Sequence, residues 1–301
     1  MTQLWRYSDT AMKKLIWLPI ASILSACSPL GLVNGVSHVY PTEIRKDIAY
    51  GDHDRQKLDI YLPDVDAAES TTTPVVVFFY GGSWNSGSRS DYGFVGRRLA
   101  HEGFIVAVAD YRLYPEVAYP EFLHDSAGAV RKVSEIIQSG ELADYRPSTR
   151  VTLVGHSAGA YNAAMLALDP LWLSQQSLVR EDTLNGWVGI AGPYDLYPIK
   201  IEEVKPVFFH PDYPDDSNPI DFVESSVVPS LLLVPEDDDL VDPQRNTFAL
   251  AEKLRGANKR VAVNQLAGTS HTTIIGTMSP ILFFKEGSVQ PVVDFVRGLS
   301  D

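Results

Sequence analysis

From residue 57 onward, short apolar runs alternate with longer stretches in which apolar side chains recur at helical spacing. Lys57–Leu62 reads as a strand ended by Pro63, and the segment from Asp64 to Pro74, rich in Asp, Ala and Thr, as a loop. Val75–Tyr80 is five apolar residues and a tyrosine, the composition of a strand buried on both faces. Further strands are predicted over Phe104–Ala109, Val151–Val154, Val188–Ala191, Leu231–Val234 and Val261–Leu266. Helical spacing covers Tyr92–His101, closed by Gly103, then Pro120–Ile137, Ala158–Leu168 and Val292–Leu299. Asp242-Pro243 reads as an N-cap followed by a proline in the first helical position, opening a helix to about Leu254. This alternation predicts an α/β fold, with a mainly parallel central sheet and helices on both faces. One stretch breaks the rhythm. Tyr197 to Val228 holds several prolines together with Phe208, Phe209, His210 and Tyr213, and is expected to be a small cap insertion, since long irregular insertions are often lids or binding loops.

Composition narrows the picture. The 301 residues suit one large domain, and 45% hydrophobic with 21% charged residues is ordinary for a globular chain. A net charge of −13 without any cluster of Lys and Arg argues against nucleic acid as a partner. The single cysteine, Cys27, excludes an intrachain disulfide and a cysteine-based metal site. Upstream of it, Met12-Lys13-Lys14 precedes the 12 residues Leu15–Ala26, mostly apolar and too short for a bilayer-spanning helix of about 20. That is a signal-peptide layout, in which Met12 is a more natural start than Met1 because Asp9 lies between them. Leu24-Ser25-Ala26-Cys27 resembles the bacterial lipobox, which implies lipidation of Cys27 as the new N-terminus; Ser28 after it is compatible with outer-membrane sorting. The expected organisation is a signal peptide over 1–26, a lipidated N-terminus and linker over 27–46, and one folded domain over 47–301, with the insertion at 197–228. Membrane contact would then run through acyl chains alone.

The chemistry centres on Gly155-His156-Ser157-Ala158-Gly159, placed directly between a predicted strand and a predicted helix, as a nucleophile elbow requires. A serine hydroxyl needs a base, and the base needs an orienting acid. The histidines that follow Ser157 are His210, inside the insertion, and His271, in what reads as a flexible loop after the last strand. His271 is the candidate base. The acid belongs after Leu231–Val234, where Glu236, Asp237, Asp238, Asp239 and Asp242 leave the choice open on composition alone. A calcium loop is disfavoured there, for the run lacks the required glycine and distal glutamate. Tyr80-Gly81-Gly82-Ser83-Trp84, at the end of a buried strand, offers backbone N–H groups that can approach a ligand closely.

These pieces, from about Asp47 to the end, resemble the bacterial carboxylesterases of the α/β-hydrolase superfamily, near its hormone-sensitive-lipase-like, feruloyl-esterase-like and kynurenine-formamidase-like groups. The matching segments come in family order: Leu58–Pro63, Tyr80–Trp84, Asp110-Tyr111-Arg112-Leu113, Gly155–Gly159, Leu231–Val241 and His271. The resemblance implies that Asp238, counted back from Val241, is the acid, and that the backbones of Gly82, Ser83 and Ala158 form the oxyanion hole. It further implies that Asp110 and Asp125 support loops. Two departures stand out: Tyr80 replaces the usual first histidine of the oxyanion loop, and Val234-Pro235 replaces the usual His-Gly before the acid. The implied activity is cofactor-free hydrolysis of a small carboxylic ester through an acyl-enzyme, with no metal. Trp84, Phe208, Phe209 and Tyr213 are candidate pocket walls. An amide substrate, as in the formamidase and peptidase relatives, and a non-catalytic surface lipoprotein on the same fold are the alternatives.

Overall fold

The computed structural model describes residues 29–64, 72–282 and 287–299. The candidate signal segment and Cys27 lie outside the described residues. The fold is an eight-stranded sheet: β1 (Glu43–Ala49), β2 (Lys57–Leu62), β3 (Thr73–Phe79), β4 (Ile105–Ala109), β5 (Pro147–His156), β6 (Leu184–Ile190), β7 (Ser230–Asp237) and β8 (Val261–Ser270). Their spatial order is β1-β2-β4-β3-β5-β6-β7-β8; β1 and β2 pair antiparallel, as do β2 and β4, and every later pairing is parallel. This is the α/β-hydrolase fold expected from the sequence. The central strands carry continuous apolar runs because both their faces are covered; Val75 to Phe79 and Ile105 to Ala109 are all buried.

Handedness assigns the helices to faces. The connection from β3 to β4 runs in one direction across the sheet, and those from β4 to β5 and β5 to β6 run in the other. Right-handed crossovers therefore put the helix Gly93–His101 on one face and the helices Glu121–Ser139 and Ala158–Leu168 on the opposite face. The C-terminal helix Val289–Arg297 joins the first of these, with Arg297 donating to the Glu102 carbonyl at 2.7 Å. The reversal of direction lies between β3 and β5, so the loops at their C-terminal ends flank one crevice, where open α/β sheets bind ligands.

Several elements depart from the sequence reading. Residues 29–37, expected as linker, form a helix whose Asn34 accepts from the Phe94 N–H at 2.9 Å and donates to the Asp91 carbonyl at 2.6 Å. Strand β1 was not expected: Glu-Ile-Arg-Lys-Asp-Ile-Ala has no apolar run, and as an edge strand it is held by pairing to β2 rather than by burial. Helix Ala249–Gly256 is preceded by a π-helical turn at Gln244–Phe248, entered as predicted at Asp242, whose Oδ1 accepts from the Gln244 N–H at 2.9 Å. The loop predicted to carry His271 is not a loop. Strand β8 runs to Ser270, and His271 opens a short helix, His271–Gly276, fixed by a capping box between Ser270 and Thr273.

Candidate active site

Ser157 follows β5 with φ 53° and ψ −120°, a conformation that costs a non-glycine residue about 1–3 kcal/mol and turns its side chain out of the sheet edge. The flanking glycines permit it by contact. A β-carbon on Gly155 would lie 2.1 Å from the Gly159 carbonyl oxygen, and one on Gly159 would lie 2.1 Å from the Phe79 carbonyl oxygen. The Ser157 N–H is anchored by the carbonyl of Ile190 at the end of the neighbouring strand β6, at 2.9 Å.

Ser157 Oγ lies 2.8 Å from Nε2 of His271, and Nδ1 of His271 lies 2.9 and 3.1 Å from the two carboxylate oxygens of Asp238. Asp238 is held in turn by N–H donation from Leu240 (3.0 Å) and Val241 (2.8 Å), so the valine that marks its place in the family spacing also binds it. Its side chain is only 1% exposed, whereas Glu236, Asp237, Asp239 and Asp242 all face solvent. The inward turn comes from an irregularity between β7 and β8: Pro235 pairs with Leu266 but Asp237 with Ser270, and Glu236 accepts from the Gly268 N–H at 2.6 Å. Val234-Pro235 thus continues β7, and Asp238 still reaches His271.

The loop after β3 carries three successive residues with positive φ: Gly82 (140°), Ser83 (51°) and Trp84 (56°). Runs of this kind turn neighbouring N–H groups toward one concavity. Ser83 and Ala158 line the same cleft as Ser157, and among the described residues neither of their N–H groups has a protein acceptor. Gly82 does not line it; its carbonyl instead accepts from the N–H groups of Asn85 and Ser86, both at 3.0 Å, closing the turn. Tyr80, in place of the family histidine, is stacked on Tyr111 with ring centres 4.7 Å apart. Arg55 clamps the whole loop, donating to the Tyr80 hydroxyl (2.6 Å), the Gly87 carbonyl (2.7 Å) and the Tyr111 carbonyl (2.9 Å). Nothing in the local sequence around Arg55 signals this role, because its partners lie 25 to 56 positions away.

Asp110 and Asp125 sit beneath the crevice and brace loops. Asp110 accepts from the Arg89 backbone N–H at 2.6 Å and pairs with the Arg89 guanidinium, which also holds Asp59 and Asp47. Asp125 receives Arg112 on both oxygens at 2.8 Å and Gln56 at 2.8 Å. These bonds raise the Arg89 and Arg112 pKa values above an already high norm, against the opposing effect of burial.

Of the four aromatic pocket candidates, Trp84 lines the cleft, with its indole N–H on Asn162 at 3.0 Å. The other three are corrected by the structure. Phe208 is fully buried among Trp84, Tyr119, Phe122 and Tyr161, Phe209 is half exposed, and Tyr213 stacks on Tyr197; none of the three lines this cleft. His210 is exposed beside Tyr213, away from Ser157. The insertion does contribute a wall, through Pro198, Ile199, Ile201 and Val204. Two residues overlooked in the sequence hold that wall: Asn246 accepts from the N–H groups of Tyr194 (2.7 Å) and Asp195 (2.9 Å), and Arg245 binds the Tyr197 and Pro198 carbonyls. Among the described residues no group of His, Cys, Asp and Glu is arranged to hold a metal ion.

Sheet order, elbow and the Ser–His–Asp line together define a protein of the α/β-hydrolase class. Residues 58–254 match the BD-FAE family model, and the chain belongs to that family. It is 31% identical over 191 residues to an isoprenylcysteine alpha-carbonyl methylesterase of Arabidopsis thaliana, a match covering 62% of this chain and 43% of the relative. It is 26% identical over 239 residues to the kynurenine formamidase of Danio rerio, covering 78% and 76%. The chain spans less than half the length of the plant methylesterases it matches. A structure of esterase B from Lactobacillus rhamnosis, inhibited by a tributyrin phosphonate, superposes with a TM-score of 0.70 at 16% identity, covering 92% of this chain and 94% of that one; it shares the fold.

Proposed function

We propose that the protein is a serine hydrolase of small carboxylic esters, working through an acyl-enzyme on Ser157, His271 and Asp238. The observation that carries this reading is the unbroken line from Ser157 Oγ to His271 Nε2 (2.8 Å) and from His271 Nδ1 to Asp238 (2.9 Å). The neutral base donates from Nδ1 to Asp238, which leaves the Nε2 lone pair facing the serine hydroxyl. As Ser157 attacks the carbonyl carbon, its proton passes to Nε2, and Asp238 stabilises the resulting imidazolium. Negative charge develops on the former carbonyl oxygen, where the N–H groups of Ser83 and Ala158 are free to receive it. His271 then protonates the leaving alcohol, and the same residues run in reverse with water to release the acid. A binding-only lipoprotein would have no use for this alignment, nor for the backbone strain at Ser157.

The second reading is an amide, as in the formamidase that matches three quarters of its own length. Hydrolysis rates on acetyl and butyryl aryl esters, a feruloyl ester and an arylformamide separate the two. The ester reading expects kcat/KM on the best ester to exceed that on the formamide by at least about tenfold; the reverse ranking would overturn it.

Export with a lipid anchor on Cys27 is part of the same proposal, supported by the basic, apolar and cysteine-terminated order of the N-terminal segment. Metabolic labelling with a fatty acid is expected for the full chain in a bacterial host and lost in Cys27→Ala; equal labelling would overturn the anchor.

A further inference from the structure

The residue directly before the nucleophile has no part in the mechanism above, yet its ring meets His271 on one side and the loop after β3 on the other. His156 ends β5, is 4% exposed, and its Nε2 lies 2.9 Å from the main-chain carbonyl oxygen of His271. A carbonyl only accepts, so Nε2 carries the proton and donates. The ring centre is 5.3 Å from that of His271. On its other side the ring abuts the oxyanion loop, where a β-carbon on Gly81 would come within 2.9 Å of Nδ1 and 2.8 Å of Ser157 Cβ. Nδ1 itself has no partner among the described residues. A buried acceptor left unpaired costs about 1–3 kcal/mol, which a leucine of similar size would not incur. Packing alone therefore gives no reason for an imidazole at this position.

We propose, on the basis of the hydrolase reading above, that His156 is a positioning residue for the base. Its bond to the His271 carbonyl ties the main chain of the base to the nucleophile strand. Two adjacent residues thus hold His271 from two sides: Ser157 meets its imidazole, and His156 meets its backbone. Together with the Ser270–Thr273 capping box, this sets the Ser157–His271 separation before substrate arrives. Charge fits the role. Burial first, and then the neighbouring His271 ring, pushes the His156 pKa down to about 3, against the weaker opposing pull of the bond to the His271 backbone and of Asp238. The ring is thus neutral while His271 becomes positive during acylation, and no second cation faces the imidazolium.

The test compares wild type with His156→Leu, His156→Gln and Ser157→Ala on one short aryl ester, with folding checked by thermal unfolding. Loss of a positioning bond is expected to lower kcat by roughly 10- to 100-fold in His156→Leu with KM changed less than about threefold. His156→Gln, which keeps an N–H donor at similar reach, is expected to recover at least about a third of wild-type kcat. A folded His156→Leu with wild-type kcat, or a glutamine variant no better than the leucine one, would overturn the proposal. Histidine-selective nitrogen-15 spectra of the unaltered protein supply a readout independent of any variant's folding. They should show ring 156 as the neutral Nε2–H tautomer with a slowly exchanging proton; an Nδ1–H tautomer would overturn the proposal. Activity of the wild type that survives in Ser157→Ala would instead overturn the hydrolase reading, and so is a separate outcome.

Discussion

Asp238 is one of four acidic residues in a row, and the structure turns only this one away from water and onto a histidine. Asp238→Asn is expected to lower kcat by about 10⁴ with KM little changed, because the amide favours the wrong imidazole tautomer and cannot stabilise the imidazolium. Asp237→Asn and Asp239→Asn, both at exposed positions, should stay within about threefold of wild type. Steady-state kinetics on the three variants checks the assignment, and a comparable loss in either neighbour would refute it. The four-acid run shows where local sequence stops being informative. Ser157 was legible because the sharp turn that carries it is written in five consecutive residues, even though Gly159 also answers a close approach from Phe79 on β3. The identity of the acid depends on a bulge between β7 and β8, so only the spacing to Val241, known from a family, pointed to it. His156 was hidden for a related reason: its partner is the carbonyl of a residue 115 positions away. That residue also carries a stability prediction. A histidine with pKa about 3 when folded and 6.5 when unfolded takes up its proton only on unfolding between those values. Its contribution to stability is therefore complete above pH 6.5 and is lost as pH falls toward 3, at up to about 1.4 kcal/mol per pH unit. Denaturant unfolding should show a shallower decline between pH 6.5 and 4 for His156→Gln than for wild type; parallel declines would contradict the depressed pKa.

Among elements, the oxyanion loop depends on a partner outside itself. Arg55 fastens both ends of the loop, and substituting it leaves the Gly87 carbonyl and Tyr80 hydroxyl without that donor while no cleft-lining residue changes. Arg55→Ala is expected to reduce kcat about tenfold or more with a smaller effect on KM, since donors aimed at a developing oxyanion act in the transition state. Arg55→Lys should restore little, as a single ammonium cannot reproduce three divergent N–H bonds. A wild-type kcat in the alanine variant would mean that the Tyr80–Tyr111 stack suffices alone. The buried strands and the two long helices were legible from their apolar periods, because their environment is uniform along their length. Strand β1 and the helix at 29–37 were not, since pairing to β2 holds the first, and the Gly93–His101 helix with the Pro280–Leu282 turn holds the second, neither through burial of a periodic apolar face. The segment around His271 read as flexible on composition, with Gly268 and Ser270; the capping box and the bond from His156 make it one of the more constrained places in the site.

At the scale of the molecule, sheet order determines where everything meets. Reversal of the crossover direction between β3 and β5 opens the crevice, Ser157 and the loop after β3 stand on its two sides, and β7 and β8 bring Asp238 and His271 across from the far strands. The insertion at 197–228 is docked into this frame, with Phe208 locked among the aromatic side chains behind Trp84 and the stretch from Pro198 to Val204 walling the cleft. That arrangement was only half legible: the break in the alternation marked the insertion, but which aromatics turn inward depended on Tyr161 and Tyr119 receiving it, through hydrogen bonds to the Ser217 and Asp216 carbonyls at 2.7 and 2.9 Å. If this frame presents Ser157 as an activated nucleophile, the serine should react selectively with an electrophile aimed at it. The most direct measurement is reaction of the folded protein with a fluorophosphonate, followed by intact mass and peptide mapping. One phosphonyl adduct per chain is expected, on Ser157, absent in Ser157→Ala and strongly slowed in His271→Ala; a folded wild-type protein that takes up no label, or takes it up on another residue, would refute Ser157 as the nucleophile.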